Sequence, residues 1–207
     1  SLPPHHFITD CISKFARLLE RTHIVSDEET EWSVFYNGYW LDKKYWKDVD
    51  LREIFRFRKP ELSAEAQEYL NKIKSGNAVS VHIRRGDYLS KDNLNKFGIF
   101  CTEHYYQLAI ERITQEQPDT CFFVFSDDIP WVQKNMCIPN AHFVDCHHGD
   151  DNWKDLFLMS CCTHNIIANS TFSFWAAMLN PNPNKMVFYP QRWFYWETPD
   201  IFPDSWI

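Results

Sequence analysis

From residue 78 onward the chain alternates between two hydrophobic rhythms. Unbroken apolar runs at 78–83 and 121–126 predict strands buried on both faces, and shorter runs at 143–144, 165–168 and 186–189 extend the series. Between them, apolar residues recur every third or fourth position. In 102–114, Tyr106, Ala109, Ile110 and Ile113 share one helical face. Helices are also predicted at 130–135, where Pro130 suits a first turn, and at 153–162, where Asn152 and Asp155 have capping-box spacing. A further helix is predicted at 171–179, stopped by Asn180-Pro181. Strand, helix, strand in repetition predicts an α/β fold: a Rossmann-like, doubly wound parallel sheet with its ligand at the carboxyl ends of the strands.

Upstream the pattern differs. A helical stripe covers 10–20, an aromatic-rich irregular stretch punctuated by Gly38 covers 31–46, and a helix is expected at 63–74 with Ser63 as its cap. Ser75-Gly76-Asn77 ends that helix, so the domain boundary is set at 75/76, giving units 1–75 and 76–207.

Composition narrows the function. Net charge is −7, which argues against a nucleic-acid binder and requires any anionic ligand to be held by a local basic site. Nine Trp, nine Tyr and 17 Phe are a high aromatic share; most are read as core, and the surplus also fits sugar stacking, with Trp40, Trp46, Trp193 and Trp196 as candidates of which most are expected in the core. Seven cysteines without a Cys-x-x-Cys pair read as free thiols, mostly buried, in a reducing compartment. No apolar run is long enough for a membrane span, so no stable membrane insertion is expected.

Three loops directly after strands carry candidate chemistry: His82 to Asp87, Ser126-Asp127-Asp128, and Asn169 to Ser173, which opens a helix. Arg84 and Arg85 can grip a diphosphate, since guanidinium forks match phosphate oxygens. Ser170, Thr171 and Ser173 stand where helix N–H groups attract phosphate. A carboxylate in the second loop can accept from the adjacent ring N–H and amino group of guanine. Together they suggest a guanine nucleotide diphosphate site. Each piece also has a plainer reading. The arginines can pair with Asp87 or Asp128 at the surface, Asp127-Asp128 can cap the next helix, and Ser170 to Ser173 can be a simple N-cap. Asn169-Ser170-Thr171 spells a glycosylation acceptor, but follows a buried strand and is expected inside. His147-His148, with Cys146, fits no standard metal site and is read as a solvated loop.

Val81 to Tyr88, Val-His-Ile-Arg-Arg-Gly-Asp-Tyr, resembles the hallmark motif of the alpha-1,2-fucosyltransferase family, particularly its bacterial members. The likeness includes Asn37-Gly38-Tyr39-Trp40 with Tyr45-Trp46, then 123–128, then 164–177, where Phe174 stands at a usual Trp. It covers roughly residues 31 to 194. The family's Gly-Asn-Gln-aromatic opening segment has no counterpart, so the chain is expected to lack the first part of its acceptor-side domain.

The resemblance implies a GT-B, inverting enzyme that moves fucose from GDP-fucose to the 2-hydroxyl of a galactose-containing glycan. It implies no cofactor and no metal. Arg84 would stabilise the leaving phosphate with Arg85 assisting, His82 and Asp128 would lie near the guanine, and Ser170, Thr171 and Ser173 would complete the phosphate cradle. It further implies polysaccharide biosynthesis in the bacterial cytoplasm, at most peripheral to the inner membrane. Alternatives sharing the motifs are a nucleotide-sugar-binding domain without activity, and transfer to another sugar position or to protein.

Overall fold

A computed structural model of the chain describes residues 24–25, 35–36, 42–57 and 60–207. The helix expected at 10–20 and the Asn37 to Trp40 segment lie outside the described residues. The chain divides into two compact units, Ser1–Lys47 and Asp48–Ile207. In the first, β1 (Ile24–Val25) pairs in parallel with β2 (Phe35–Tyr36). A 3-10 turn at Lys43–Tyr45 follows, its first N–H groups met by Asp42, which accepts from the Lys44 N–H at 2.8 Å.

The second unit opens with α1 (Leu51–Ile54) and α2 (Ala64–Ser75). Five strands follow: β3 (Ala78–Ile83), β4 (Cys121–Ser126), β5 (Ala141–Val144), β6 (His164–Ile166) and β7 (Val187–Phe188). They are linked through α3 (Glu103–Glu116), α4 (Ile129–Asn135), α5 (Trp153–Ser160) and α6 (Thr171–Leu179). All pairings are parallel, in the order β5-β4-β3-β6-β7. The expected α/β, doubly wound architecture is therefore the one found.

Alternation along β3 builds two cores. Val79, Val81 and Ile83 face α3 and α4, joining Tyr106, Ile110, Ile113 and Val132. Ala78 faces the other way, with Phe123 and Phe125 of β4, onto Leu70, Ile73, Leu158 and Met159. That is why both strands read as continuous apolar runs. Leu70 and Ile73 belong to α2, so this helix covers one face of the sheet, and the 75/76 boundary falls inside the compact unit.

Local chemistry sets the helix starts. Ser63 and Thr102 accept from the N–H groups of Ala66 and Tyr105, as cap residues do. The expected capping box at Asn152 does not form: Asn152 has helical backbone angles and makes no side-chain cap, and the Asp155 carboxylate is bonded to His147. The described cysteines are unpaired; Cys162 is buried but Cys137 is exposed.

The amino edge of the sheet is closed by buried amides. Asn165 donates to Ser80 Oγ at 2.7 Å and to the Met159 carbonyl at 3.0 Å. Asn180, fully buried, donates to Asn165 Oδ1 and to the Cys162 carbonyl, both at 2.8 Å. His164 accepts from the Met186 N–H through Nδ1 and faces Gln117 through Nε2, so both ring nitrogens are partnered.

Candidate active site

At the carboxyl edge the sheet opens instead. A cleft of about 660 Å³ is lined by the ends of β3, β4 and β5 and by the start of α6. This volume lies within the ordinary range for ligand sites. His82, Arg84, Ser170 and Thr171, all expected from sequence, line it together.

His82 and Ile83 face opposite sides of β3, as alternation along a strand requires. Past the strand end, Arg84 borders both the cleft and a second cavity beside α3 and α4, while Arg85 borders only the second. His82 is buried, its Nδ1 has no partner, and its ring lies 5.6 Å from that of Phe172. Burial, with the Arg84 charge adding to it, pushes its pKa down to about 3, so the imidazole is neutral. Arg84 is fixed by Asp87 at 2.5 Å and Asp127 at 3.0 Å, with its guanidinium carbon 5.6 Å from the Tyr88 ring. Burial raises the Tyr88 hydroxyl to about 12; it donates to the Asn169 carbonyl at 2.9 Å.

Asp127 is the organising carboxylate of these loops. One oxygen holds Arg84, and the other accepts the Arg85 backbone N–H at 2.8 Å. Gly86 makes this possible: a Cβ there would stand 2.5 Å from Asp127 Oδ2.

Arg85, Asp128 and Ser173 do not line the cleft. Arg85 lies over the Trp131 ring at 3.3 Å, pairs with Asp128 at 3.2 Å, and borders a second cavity beside α3 and α4. Asp128 caps α4, accepting from the Trp131 N–H at 3.2 Å. The plainer readings, ion pair and cap, therefore describe these two residues, and the ion-pair reading also holds for Arg84 with Asp87, though Arg84 in addition lines the cleft. Ser173 is buried, and its hydroxyl is within bonding range of the Ala168 and Ser170 carbonyls. The N-cap reading fails for Ser170, whose side chain makes no cap bond. The first N–H groups of α6 thus lack a capping side chain where they border the cleft.

The β5 loop was missed as a cleft wall: Asp145, His147, His148, Asn152 and Asp155 all line it. His147 corrects the solvated-loop expectation. It is buried, its Nδ1 2.6 Å from Asp155 Oδ1. Burial raises the Asp155 pKa, with His147 opposing that rise. The eight-residue spacing from His147 to Asp155, on the cleft-facing end of α5, was the signal available. Asn169 is buried, and its amide donates to the Phe97 and Trp193 carbonyls, both at 3.0 Å, so the glycosylation motif is internal as expected. No three His, Cys, Asp or Glu side chains among the described residues are arranged to hold a metal ion.

A loop arginine and a bare helix end across a carboxyl-edge cleft suit an anionic, phosphate-bearing ligand. The family model described as "Glycosyl transferase family 11" matches residues 5–198. The chain belongs to glycosyl transferase family 11. An alpha-1,2-colitosyltransferase of Escherichia coli is 34% identical over 217 residues, covering 98% of this chain and 74% of that protein. The O-antigen biosynthesis glycosyltransferase WbnK of Escherichia coli is 39% identical over 136 residues, 65% of this chain and 45% of that protein. The galactoside alpha-(1,2)-fucosyltransferase 1 of Saimiri boliviensis boliviensis is 30% identical over 127 residues, 57% of this chain and 35% of that protein. The chain thus spans less than half the length of the last two. The resemblance read from the motifs and the glycosyltransferase class both stand. No helix among the described residues is long and apolar enough to cross a membrane.

Proposed function

We propose that this protein transfers L-fucose from GDP-fucose to the 2-hydroxyl of a galactoside, with inversion and without a metal. The observation that carries this reading is Arg84, held by two carboxylates at the cleft that the uncapped start of α6 also borders. A diphosphate there meets a fixed guanidinium from one loop and helix N–H groups with the Ser170 and Thr171 hydroxyls from another.

The chemistry follows from the charge that builds during transfer. The acceptor oxygen bonds to the fucose anomeric carbon while the bond from that carbon to the β-phosphate oxygen breaks, on the opposite face. Negative charge collects on the departing phosphate, and Arg84 is already aimed at it. A preorganised donor in such a role contributes about 3 to 4 kcal/mol of transition-state stabilisation. His82, neutral and lining the cleft, adds no charge of its own beside the phosphate. For guanine, Asp128 is committed to Arg85 and the α4 cap, while Asp87 and Asp127 hold Arg84. Asp155 is bonded to His147, which leaves Asp145 as the lining carboxylate best suited to its paired N–H donors.

The test is GDP release from GDP-fucose with and without a β-galactoside, in the full-length protein with a chelator present. Galactoside-dependent release that survives the chelator agrees with the reading; strict dependence on added divalent metal contradicts it. A second donor is favoured by the colitosyltransferase relative. Colitose is fucose lacking the 3-hydroxyl, so GDP-colitose in the same assay decides between them.

A further inference from the structure

The run Trp193-Phe194-Tyr195-Trp196 divides sharply by exposure. Trp193 is 1% exposed and packs against Phe174 and Phe202, whereas Tyr195 and Trp196 are 65% and 59% exposed. Trp196 is nonetheless held in place. It stacks flat on Phe194, 4.9 Å between centroids and 5° between planes, and Phe97 meets both rings edge-on. The Tyr195 N–H donates to the Lys96 carbonyl at 3.2 Å.

These rings are built onto the cleft wall. The Asn169 amide, next to Ser170, holds the Phe97 and Trp193 carbonyls. Phe97 lies 5.2 Å from the Tyr88 ring, which in turn contacts Arg84. Gly98 allows this approach, since a Cβ there would come within 2.5 Å of the Tyr88 carbonyl oxygen. Trp196, fixed and open to water, is joined by ring contacts through Phe97 and Tyr88 to the guanidinium proposed to face the donor phosphate, and Tyr195 stands exposed beside it.

We propose that Trp196, backed by Phe194 and flanked by Tyr195, is a stacking subsite for the acceptor saccharide. It holds a sugar unit beyond the galactose that reacts, because Trp196 is not itself among the residues that line the cleft. A pyranose presents a face of C–H groups that covers an aromatic ring, while exposed Gln191, Arg192 and Glu197 nearby can meet its hydroxyls. A patch of two rings is too small for a stable protein interface, which needs about 800 Å² from each partner. The proposal rests on the acceptor named above being a galactoside.

The experiment compares a β-galactosyl-terminated tetrasaccharide with methyl β-galactoside in the full-length protein. Trp196→Ala should raise KM for the tetrasaccharide three- to tenfold or so. It should leave KM for the methyl galactoside and acceptor-free GDP release within about twofold of wild type. Tyr195→Ala should act in the same direction, more weakly. Equal change for both acceptors, or none for either, overturns the subsite. Tryptophan emission gives a readout independent of transfer: the tetrasaccharide should shift it in wild type and not in Trp196→Phe. A response to anionic lipid vesicles but not to the saccharide overturns the proposal too. Saccharide-dependent emission in a protein that binds no GDP would sink the donor reading and spare this one. Normal transfer with no effect of acceptor length would do the reverse.

Discussion

The two edges of the parallel sheet are both polar and both largely buried, yet one is closed and the other is open. Two histidines make the contrast. At the amino edge, His164 has a partner for each ring nitrogen. At the carboxyl edge, the equally buried His82 has a nitrogen with none. Buried polar groups normally find partners, so a set that is met within the protein holds strands together; the unmet His82 Nδ1, itself sealed from solvent, marks the carboxyl edge as the less satisfied one. Asn165 and Asn180 are spent on the chain and buried, whereas Arg84, though paired with Asp87 and Asp127, stays partly exposed on the cleft beside the uncapped start of α6.

Breaking each edge should therefore do different damage. The largest effect is expected at Arg84. Arg84→Ala should slow transfer by about 10² to 10³ while leaving the melting temperature nearly unchanged, because its ion pairs are partly exposed and contribute little to folding. Steady-state kinetics with a melting curve on the same sample checks both halves. At the amino edge, Asn180→Ala should invert this pattern. It strands Asn165 Oδ1, the Cys162 carbonyl and the Asn182 N–H, costing about 2 to 3 kcal/mol of stability with donor affinity preserved. Denaturant titration beside calorimetry with GDP would show it, and loss of GDP affinity in a stable Asn180 variant would erase the contrast.

A smaller effect is expected at Gly86. Gly86→Ala forces Asp127 away and loosens Arg84, costing about tenfold in turnover through misplacement alone. Asp127→Asn, which keeps the shape and removes the charge, separates position from charge. The most subtle prediction concerns His82. Folding lowers its pKa from 6.5 to about 3, so protonation favours the unfolded chain. Its contribution removes stability as pH falls below 6.5, and the loss grows down toward pH 3. Imidazole NMR should show no His82 titration between about pH 5 and 8. A midpoint inside that window would mean the ring is not sealed as described.

Much of this was legible in the sequence. The unbroken runs at 78–83 and 121–126 could only be strands covered on both faces, and the stripe Tyr106, Ala109, Ile110, Ile113 is the buried face of α3. What the runs could not supply was side-chain direction past the strand ends. Arg84 and Arg85 are identical in chemistry and both border the second cavity; only Arg84 also reaches the cleft. Asp127 and Asp128 pose the same problem; their division between Arg84 and the α4 cap is decided by where Gly86 and Trp131 lie. His147 was misread because a histidine pair among acids looks solvated, and its burial depends on Asp155 reaching back from α5. In the aromatic run, exposure separated Trp193 from Trp196, which no local pattern does.

The central claim is that the open edge takes a nucleotide diphosphate through Arg84 and not through Arg85. Calorimetric titration of GDP onto wild type, Arg84→Met and Arg85→Met tests it directly, since methionine keeps the aliphatic stem and removes the charge. The account predicts at least a tenfold or so loss of affinity for Arg84→Met, in line with a charge-assisted hydrogen bond, and a change within about threefold for Arg85→Met. Equal losses in both variants, or a larger loss for Arg85→Met, would contradict it.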